Sequence, residues 1–129
     1  MIGIDKMYQN RYSLNLKKVS AVFYKTEAGN EPVREFLLAL SDEDKKSLGA
    51  DIMAVEMLWP VGYPRVRKLE KDLWEIRSVI SDKRLVRIFF TVCENRVILL
   101  HSIIKKSKKT PKYDIDVANK RKSQLFMEA

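Results

Sequence analysis

The stretch LWEIRSVISDKRLVRIFFTVCENRVILLHSII, from Leu73 to Ile104, decides the fold. It contains three runs rich in β-branched and aromatic residues, namely Leu73 to Ile80, Arg84 to Val92 and Arg96 to Ile104, separated by short polar links. Such runs predict strands, and links of this length predict hairpins. We therefore expect an antiparallel meander, with one more strand before it at Arg65 to Leu69.

The segments around the meander predict one more strand and three helices. Val19 to Lys25 has the composition of a strand, and apolar side chains recur at helical spacing after Pro32. Ser41, followed by three acids, is typical of a helix start, and this second helix should end at Trp59, before a proline. Thr110, also followed by proline, opens a C-terminal helix.

The predicted order of elements is β-α-α-β-β-β-β-α. This order predicts an α+β domain with an antiparallel sheet, two N-terminal helices and a C-terminal helix, and we expect all the helices to pack on one face of the sheet. The domain spans residues 19–129. Residues 1–18 show no clear periodicity and are interpreted as an N-terminal extension of unknown role.

Composition excludes several classes of protein. With 129 residues, 46% of them hydrophobic, the chain is long enough for a single domain with a core. One Cys and one His rule out a disulfide framework and argue against a metal site, so no metal or cofactor is expected. The sequence has no recognisable signal peptide or membrane-spanning run, which predicts a soluble, cytoplasmic protein that does not bind membranes.

The charge is concentrated in the second half of the chain. Residues 1–63 carry 8 basic and 9 acidic side chains, whereas residues 64–129 carry 17 basic and 8 acidic ones, and the net charge is +8. This asymmetry favours a polyanionic partner, and nucleic acid before a membrane surface. The alternative is a basic surface without a specific partner.

Alternation along the meander brings two arginines together. If Val79 pairs with Leu85, then Arg77 lies opposite Arg87 on the face away from the expected core, with Glu75 beside them. Two facing guanidinium groups suit a phosphate, which arginine binds through two hydrogen bonds. The alternative is that Glu75 pairs with one arginine and the other is solvated.

The segment KKSKKTPK, Lys105 to Lys112, is the densest cationic feature, with five lysines and no acid. We call it the lysine-rich junction, because it joins the last strand to the last helix. Such a segment can neutralise several phosphates, and crowding of like charges lowers the pKa of ammonium groups. A solvated charged surface is the alternative interpretation.

Two other residues are interpreted as structural. Alternation groups His101 with Val97, Leu99 and Ile103, a position more typical of a core or rim residue than of a catalytic one. Cys93 has no histidine near it in the sequence and is not expected to be catalytic.

The segments LWEIRS, RLVRIFF and VILLHSIIKKSKKTP, with the helix that follows them, resemble the RelE/ParE toxin superfamily, specifically its HigB-like, phage-related branch. The resemblance covers the chain from about Val22 onward. It implies the toxin of a type II toxin–antitoxin system, a ribosome-dependent mRNA endoribonuclease that inhibits translation. It also implies a cognate helix-turn-helix antitoxin, in a heterotetramer or a similar complex, with the ribosome and mRNA as further partners.

The resemblance also implies a metal-free reaction, in which the ribose 2′-OH attacks the adjacent phosphodiester. Arg77 and Arg87 would stabilise the transition state, and either Lys106 or Glu75 would act as the base. The remaining expected RNA-binding residues are one aromatic side chain, which would stack a base, and five lysines: Phe89, Lys68, Lys105, Lys108, Lys109 and Lys112.

Two other functions remain open. A ParE-like DNA gyrase inhibitor would share the fold and leave mRNA intact. A non-catalytic nucleic-acid-binding protein would bind in a salt-dependent manner without toxicity.

Overall fold

The computed structural model describes residues 17–104 and 109–127. Five strands and three α-helices follow one another there in the predicted order, so the chain is an α+β protein. Residues 1–16 of the predicted extension lie outside the described residues. The elements are β1 (Ser20–Phe23), α1 (Pro32–Leu38), α2 (Asp42–Leu58), β2 (Val66–Glu70), β3 (Leu73–Val79), β4 (Leu85–Cys93), β5 (Arg96–Ile104) and α3 (Lys112–Met127).

The predicted meander is confirmed. Strands β2 to β5 pair antiparallel in sequence order, and Val79 lies opposite Leu85 at the β3–β4 turn. The β4–β5 turn consists of Glu94 and Asn95, both with positive φ. A two-residue hairpin turn with positive φ at both positions has a backbone twist that matches the twist of the two strands it joins.

The sheet is mixed, so the prediction of an antiparallel sheet is wrong at one edge. The strand order is β1-β5-β4-β3-β2, and β1 pairs parallel with β5, with Ser20 opposite Arg96. Two helices separate β1 from the meander, and therefore no hairpin turn determines its direction. The chain crosses over through these helices before it begins the meander.

The helices cover both faces of the sheet, which corrects the prediction of a single covered face. Helices α1 and α2 contribute Val33, Leu48 and Ile52 to a core that includes Ile88 and its neighbours on β3, β4 and β5. On the opposite face, Ala118 of α3 belongs to a second buried cluster with side chains of β3, β4 and β5: Leu73, Phe89 and Leu100. None of the helices in the described residues could span a membrane.

A β-bulge at Leu100 changes the side-chain alternation of β5. Phe89 lies opposite His101, but the next residue of β4, Phe90, lies opposite Leu99, so Leu100 is the extra residue. His101 consequently lies on the α3 face and stacks on Phe89, with 5.5 Å between ring centroids. The predicted grouping of His101 with Leu99 is wrong, because regular alternation does not hold across the bulge.

Helix α2 begins where its sequence predicts. The Ser41 hydroxyl accepts a hydrogen bond from the backbone N–H of Asp44. The buried Asp44 carboxylate accepts hydrogen bonds from the backbone and hydroxyl of Ser81, in the β3–β4 turn, and from Arg84 at 3.0 Å. The Ser81 backbone N–H contributes most to lowering the pKa of Asp44 below its usual value of 3.8. Asp44 thus fastens the start of α2 to the meander.

We predict that Asp44→Asn destabilises the protein in a pH-dependent way. Because the pKa of Asp44 is lowered on folding, the ionised carboxylate stabilises the folded state above the usual pKa, and this contribution is lost as the pH falls through the folded-state pKa. The difference in free energy of unfolding between wild type and Asp44→Asn, measured by urea denaturation, should therefore be larger at pH 7 than below pH 3.8.

Asp42→Asn is the matched control, since its side chain is 96% exposed at the same helix start and makes one ion pair, to Lys45. A difference between wild type and Asp44→Asn that stays constant from pH 7 to low pH would contradict the role given to Asp44.

Candidate functional site

A buried cluster of charged side chains lies on the α3 face of the sheet. Glu75 and Arg87 are both fully buried, and Arg87 Nε lies 3.5 Å from Glu75 Oε1. Arg67, opposite Glu75 in the β2–β3 ladder, donates a hydrogen bond from Nη2 to Glu75 Oε2 at 3.2 Å. The Thr110 hydroxyl donates to the same oxygen at 2.7 Å. We call these four residues, from β2, β3, β4 and the lysine-rich junction, the anchor cluster.

The anchor cluster holds the C-terminal part of the lysine-rich junction against the sheet. Arg87 Nη1 donates to the backbone carbonyl of Lys109 at 2.9 Å, and Arg67 Nη2 donates to the Thr110 hydroxyl at 2.6 Å. Buried charges are stable only when they are paired and hydrogen-bonded, so each of these contacts limits the position of the junction. Lys109 is itself exposed, beside a buried arginine.

A second set of contacts joins the strand before the junction to the helix after it. His101 Nε2 lies 2.8 Å from Asp114 Oδ1, which connects β5 to the first turn of α3. Arg121, further along α3, donates to the carbonyl of Leu100, at the bulge, at 2.7 Å. The strand before the junction and the helix after it are therefore joined on one face of the sheet.

Burial lowers the pKa of Arg87. The charge of Glu75 opposes this shift, and the positive charges of Arg67 and Arg77 add to it. Arginine nevertheless stays protonated in proteins, so Arg87 carries a buried charge that Glu75 balances.

Arg77 occupies a different environment, although it lies directly opposite Arg87 as predicted. Its guanidinium carbon is 5.4 Å from the centroid of the Tyr63 ring, and its Nε has no hydrogen-bond partner among the described residues. Sequence analysis left two alternatives for this face, a phosphate between the two arginines or an ion pair of Glu75 with one of them. The structure shows an ion pair of Glu75 with Arg87. Arg77, which is half-buried, is left facing a cleft.

The cleft has a volume of about 630 Å³. It lies between α2, the loop that precedes β2, and the ends of β3 and β4 at their shared turn. Its walls combine charged and apolar residues: Asp51, Val61, Gly62, Pro64, Arg65, Arg77, Val79 and Leu85. Because Arg77 lines the cleft and also faces Arg87, the cleft adjoins the anchor cluster.

The structure does not bring every predicted binding residue to this face. Phe89 is fully buried under α3 and stacks on His101, so no ring face is open to a nucleotide base. Lys68 lies over the Trp74 ring, on the opposite face of the sheet. Lys112 is exposed at the start of α3. Three of the predicted lysines lie outside the described residues: Lys105, Lys106 and Lys108.

Sequence analysis missed Arg67, Thr110, Asp114 and Tyr63. The sequence predicts Thr110 only as a helix cap, but its hydroxyl contacts Glu75 and Arg67. The register of β2 against β3 would have indicated Arg67, since it lies directly opposite Glu75. Nothing in the sequence indicates the contact between Tyr63 and Arg77, because a loop of irregular backbone positions the ring.

Within residues 17–104 and 109–127, no three His, Cys, Asp or Glu side chains are grouped so as to hold a metal ion. The cationic groups of this face suit an anionic ligand.

Comparison with known proteins gives one family. Residues 35–123 match the model of the family described as phage-derived protein, Gp49-like. No curated protein matches the chain. The match includes α2, the whole meander and most of α3, and therefore all the residues of the anchor cluster and of the cleft.

We predict that the two facing arginines differ in their effect on stability. Arg87→Met leaves the Glu75 carboxylate buried without one of its cations and should reduce the free energy of unfolding by about 3–5 kcal/mol. Arg77→Met, the matched control on the neighbouring strand, should cost about 1 kcal/mol or less, since that side chain is half-buried and makes a cation–π contact. Chemical denaturation measures both.

Replacing both charges, in Glu75→Leu with Arg87→Met, should recover much of the stability lost in Arg87→Met, because no unbalanced buried carboxylate remains. Equal effects of Arg87→Met and Arg77→Met would contradict the anchoring role of Arg87.

Proposed function

Because the chain belongs to the Gp49-like family of phage-derived proteins, a RelE/toxin-like family, we propose that it is the toxin of a type II toxin–antitoxin system. We further propose that it is a ribosome-dependent mRNA endoribonuclease, acting in the cytoplasm and inhibiting translation by cleaving the message. Family membership is consistent with a toxin, and the proposal adds the reaction and its target.

The observation that carries the proposal is the position of Arg77. Its side chain lines a cleft, and its position on β3 is opposite Arg87, the residue whose guanidinium binds the Lys109 carbonyl. Arg77 of β3 and the Lys109 backbone of the lysine-rich junction thus both lie next to Arg87. A phosphodiester bound there would contact both a forked guanidinium and ammonium groups.

The proposed reaction uses only groups of the protein and the RNA. The 2′-oxygen attacks the adjacent phosphorus while a base removes its proton, the bond from phosphorus to the 5′-oxygen breaks, and that oxygen takes up a proton. The products are a 2′,3′-cyclic phosphate and a 5′-hydroxyl. Negative charge accumulates on the phosphate oxygens in the transition state, and Arg77 with the junction lysines would stabilise it.

Of the two candidate bases, the contacts of Glu75 favour Lys106. The Glu75 carboxylate is fully buried and accepts hydrogen bonds from Arg67 and Thr110, so it is not exposed to a ribose hydroxyl. We therefore propose Lys106 as the base, with Lys105, Lys108, Lys109 and Lys112 binding phosphates. Glu75 and Arg87 are proposed to position the junction rather than to contact the RNA.

The proposed partners follow from the same function. A cognate helix-turn-helix antitoxin would neutralise the toxin, in a heterotetramer or a similar complex, and the ribosome would present the mRNA. The concentration of basic residues after residue 63 supports polyanionic partners.

We predict that Arg77→Ala abolishes growth arrest on expression in bacteria and lowers cleavage of translated mRNA by about 100-fold or more, the size of effect seen when one group stabilising a transition-state charge is removed. Cleavage is measured by mapping 5′ ends in a translation reaction, with the same mRNA lacking ribosomes as the comparison. Arg34→Ala, an exposed arginine on α1, is the matched control and should cleave like wild type.

Equal cleavage of naked and translated mRNA would contradict ribosome dependence. Toxicity with intact mRNA and trapped, cleaved plasmid DNA would instead show a gyrase inhibitor. Salt-sensitive RNA binding without toxicity would show a non-catalytic nucleic-acid-binding protein.

A further inference from the structure

The cleft beside Arg77 has features that stabilisation of a transition-state charge alone does not require. Its volume of about 630 Å³ lies in the range of pockets that hold small organic ligands, about 300–1,000 Å³. Val79 and Leu85 give it an apolar wall, and Val79 is 64% exposed although it belongs to a strand. An apolar wall next to a guanidinium suits a ligand that has both a flat ring and a phosphate.

Tyr63 stands at the edge of this cleft. Its neighbours in sequence, Gly62 and Pro64, both line the cleft, whereas Tyr63 itself lies just outside the lining and is 72% exposed. The Arg77 guanidinium lies against the ring at 5.4 Å, and this contact orients an otherwise exposed aromatic side chain. Exposed rings next to basic groups are the usual platforms on which single-stranded nucleic acids stack their bases.

The two arginines of the cleft are not equivalent. Arg65 is 3.8 Å from the carboxylate of Asp51, which also accepts a hydrogen bond from Ser78, and so the Arg65 charge is partly balanced. Arg77 has no carboxylate partner among the ion pairs of the described residues. Its guanidinium is therefore the better donor for an incoming phosphate.

We infer that the cleft and the adjacent Tyr63 ring bind one nucleotide of single-stranded RNA, with a phosphate on Arg77, the base on the exposed ring of Tyr63 and the apolar wall beside the nucleotide. This inference rests on the proposed function and deepens it, since the bound nucleotide would flank the bond that is cleaved. Tyr63 takes the stacking role that sequence analysis gave to Phe89, which is buried. Stacking tolerates every base, so the cleft adds affinity without requiring one sequence.

The test measures binding separately from cleavage. A fluorescent 2′-O-methyl RNA hexamer has no free 2′-OH and cannot be cleaved, so its anisotropy reports affinity alone. Tyr63→Ala should weaken binding by about fivefold or more, as expected for the loss of one stacked base, whereas Tyr63→Phe should stay within about twofold of wild type.

Tyr113→Ala is the matched control. Tyr113 is 74% exposed on α3, close to the lysine-rich junction and far in sequence from the residues that line the cleft, whereas Tyr63 lies between two of them. Tyr113→Ala should bind the hexamer like wild type. Equal weakening by the two alanine variants would show a general effect of aromatic residues near basic ones and would overturn the inference.

A second readout does not depend on the size of an affinity change. The hexamer with one 5-iodouridine should form a photochemical cross-link to Tyr63, identified by mass spectrometry of the peptide that contains it. Cross-links found only on other peptides, unchanged affinity in Tyr63→Ala, or no binding by wild type would each overturn the inference.

The proposed function can fail independently of this inference. A wild-type protein that binds the hexamer through Tyr63 but leaves translated mRNA intact would overturn the endoribonuclease and keep the RNA site. A protein that cleaves translated mRNA with no contribution from Tyr63 would do the reverse.

Discussion

The structure depends on the buried carboxylate of Glu75. A buried carboxylate requires charged and hydrogen-bonding partners, and Glu75 takes them from two neighbouring strands and from Thr110, at the start of the last helix. Meeting this requirement brings together parts of the chain that are far apart in sequence. The C-terminal part of the lysine-rich junction, at Lys109 and Thr110, is consequently held against the sheet.

This constraint divides the cations of the site into two groups. Arg87 is fully buried and Arg67 is part of the anchor cluster, so their charges balance Glu75 and hold the junction. Arg77 faces the cleft, and Lys109 and Lys112 are exposed. Two arginines that look equivalent in the strand alternation thus have different roles, which burial distinguishes and sequence spacing does not.

Features that depend only on residues close together in the sequence were predicted correctly. Short links fixed the hairpins, and the hairpin register placed Arg77 opposite Arg87. Features that depend on tertiary packing were not predicted: the parallel pairing of β1, the position of α3 on the other face, and the bulge at Leu100 that reorients His101. Likewise, the burial of Phe89 follows from α3 covering it, which no alternation within β4 could indicate.

The central claim is that the anchor cluster positions the C-terminal part of the lysine-rich junction for the proposed cleavage reaction. Thr110→Val tests it most directly, because this substitution removes the hydroxyl that contacts Glu75 and Arg67 and leaves the net charge and side-chain volume almost unchanged. The measurement is the rate of translation-coupled mRNA cleavage by Thr110→Val relative to wild type, on protein with wild-type circular dichroism. The account predicts a loss of about tenfold or more, as expected when supporting contacts no longer hold a reactive geometry. Cleavage by Thr110→Val at the wild-type rate would contradict it.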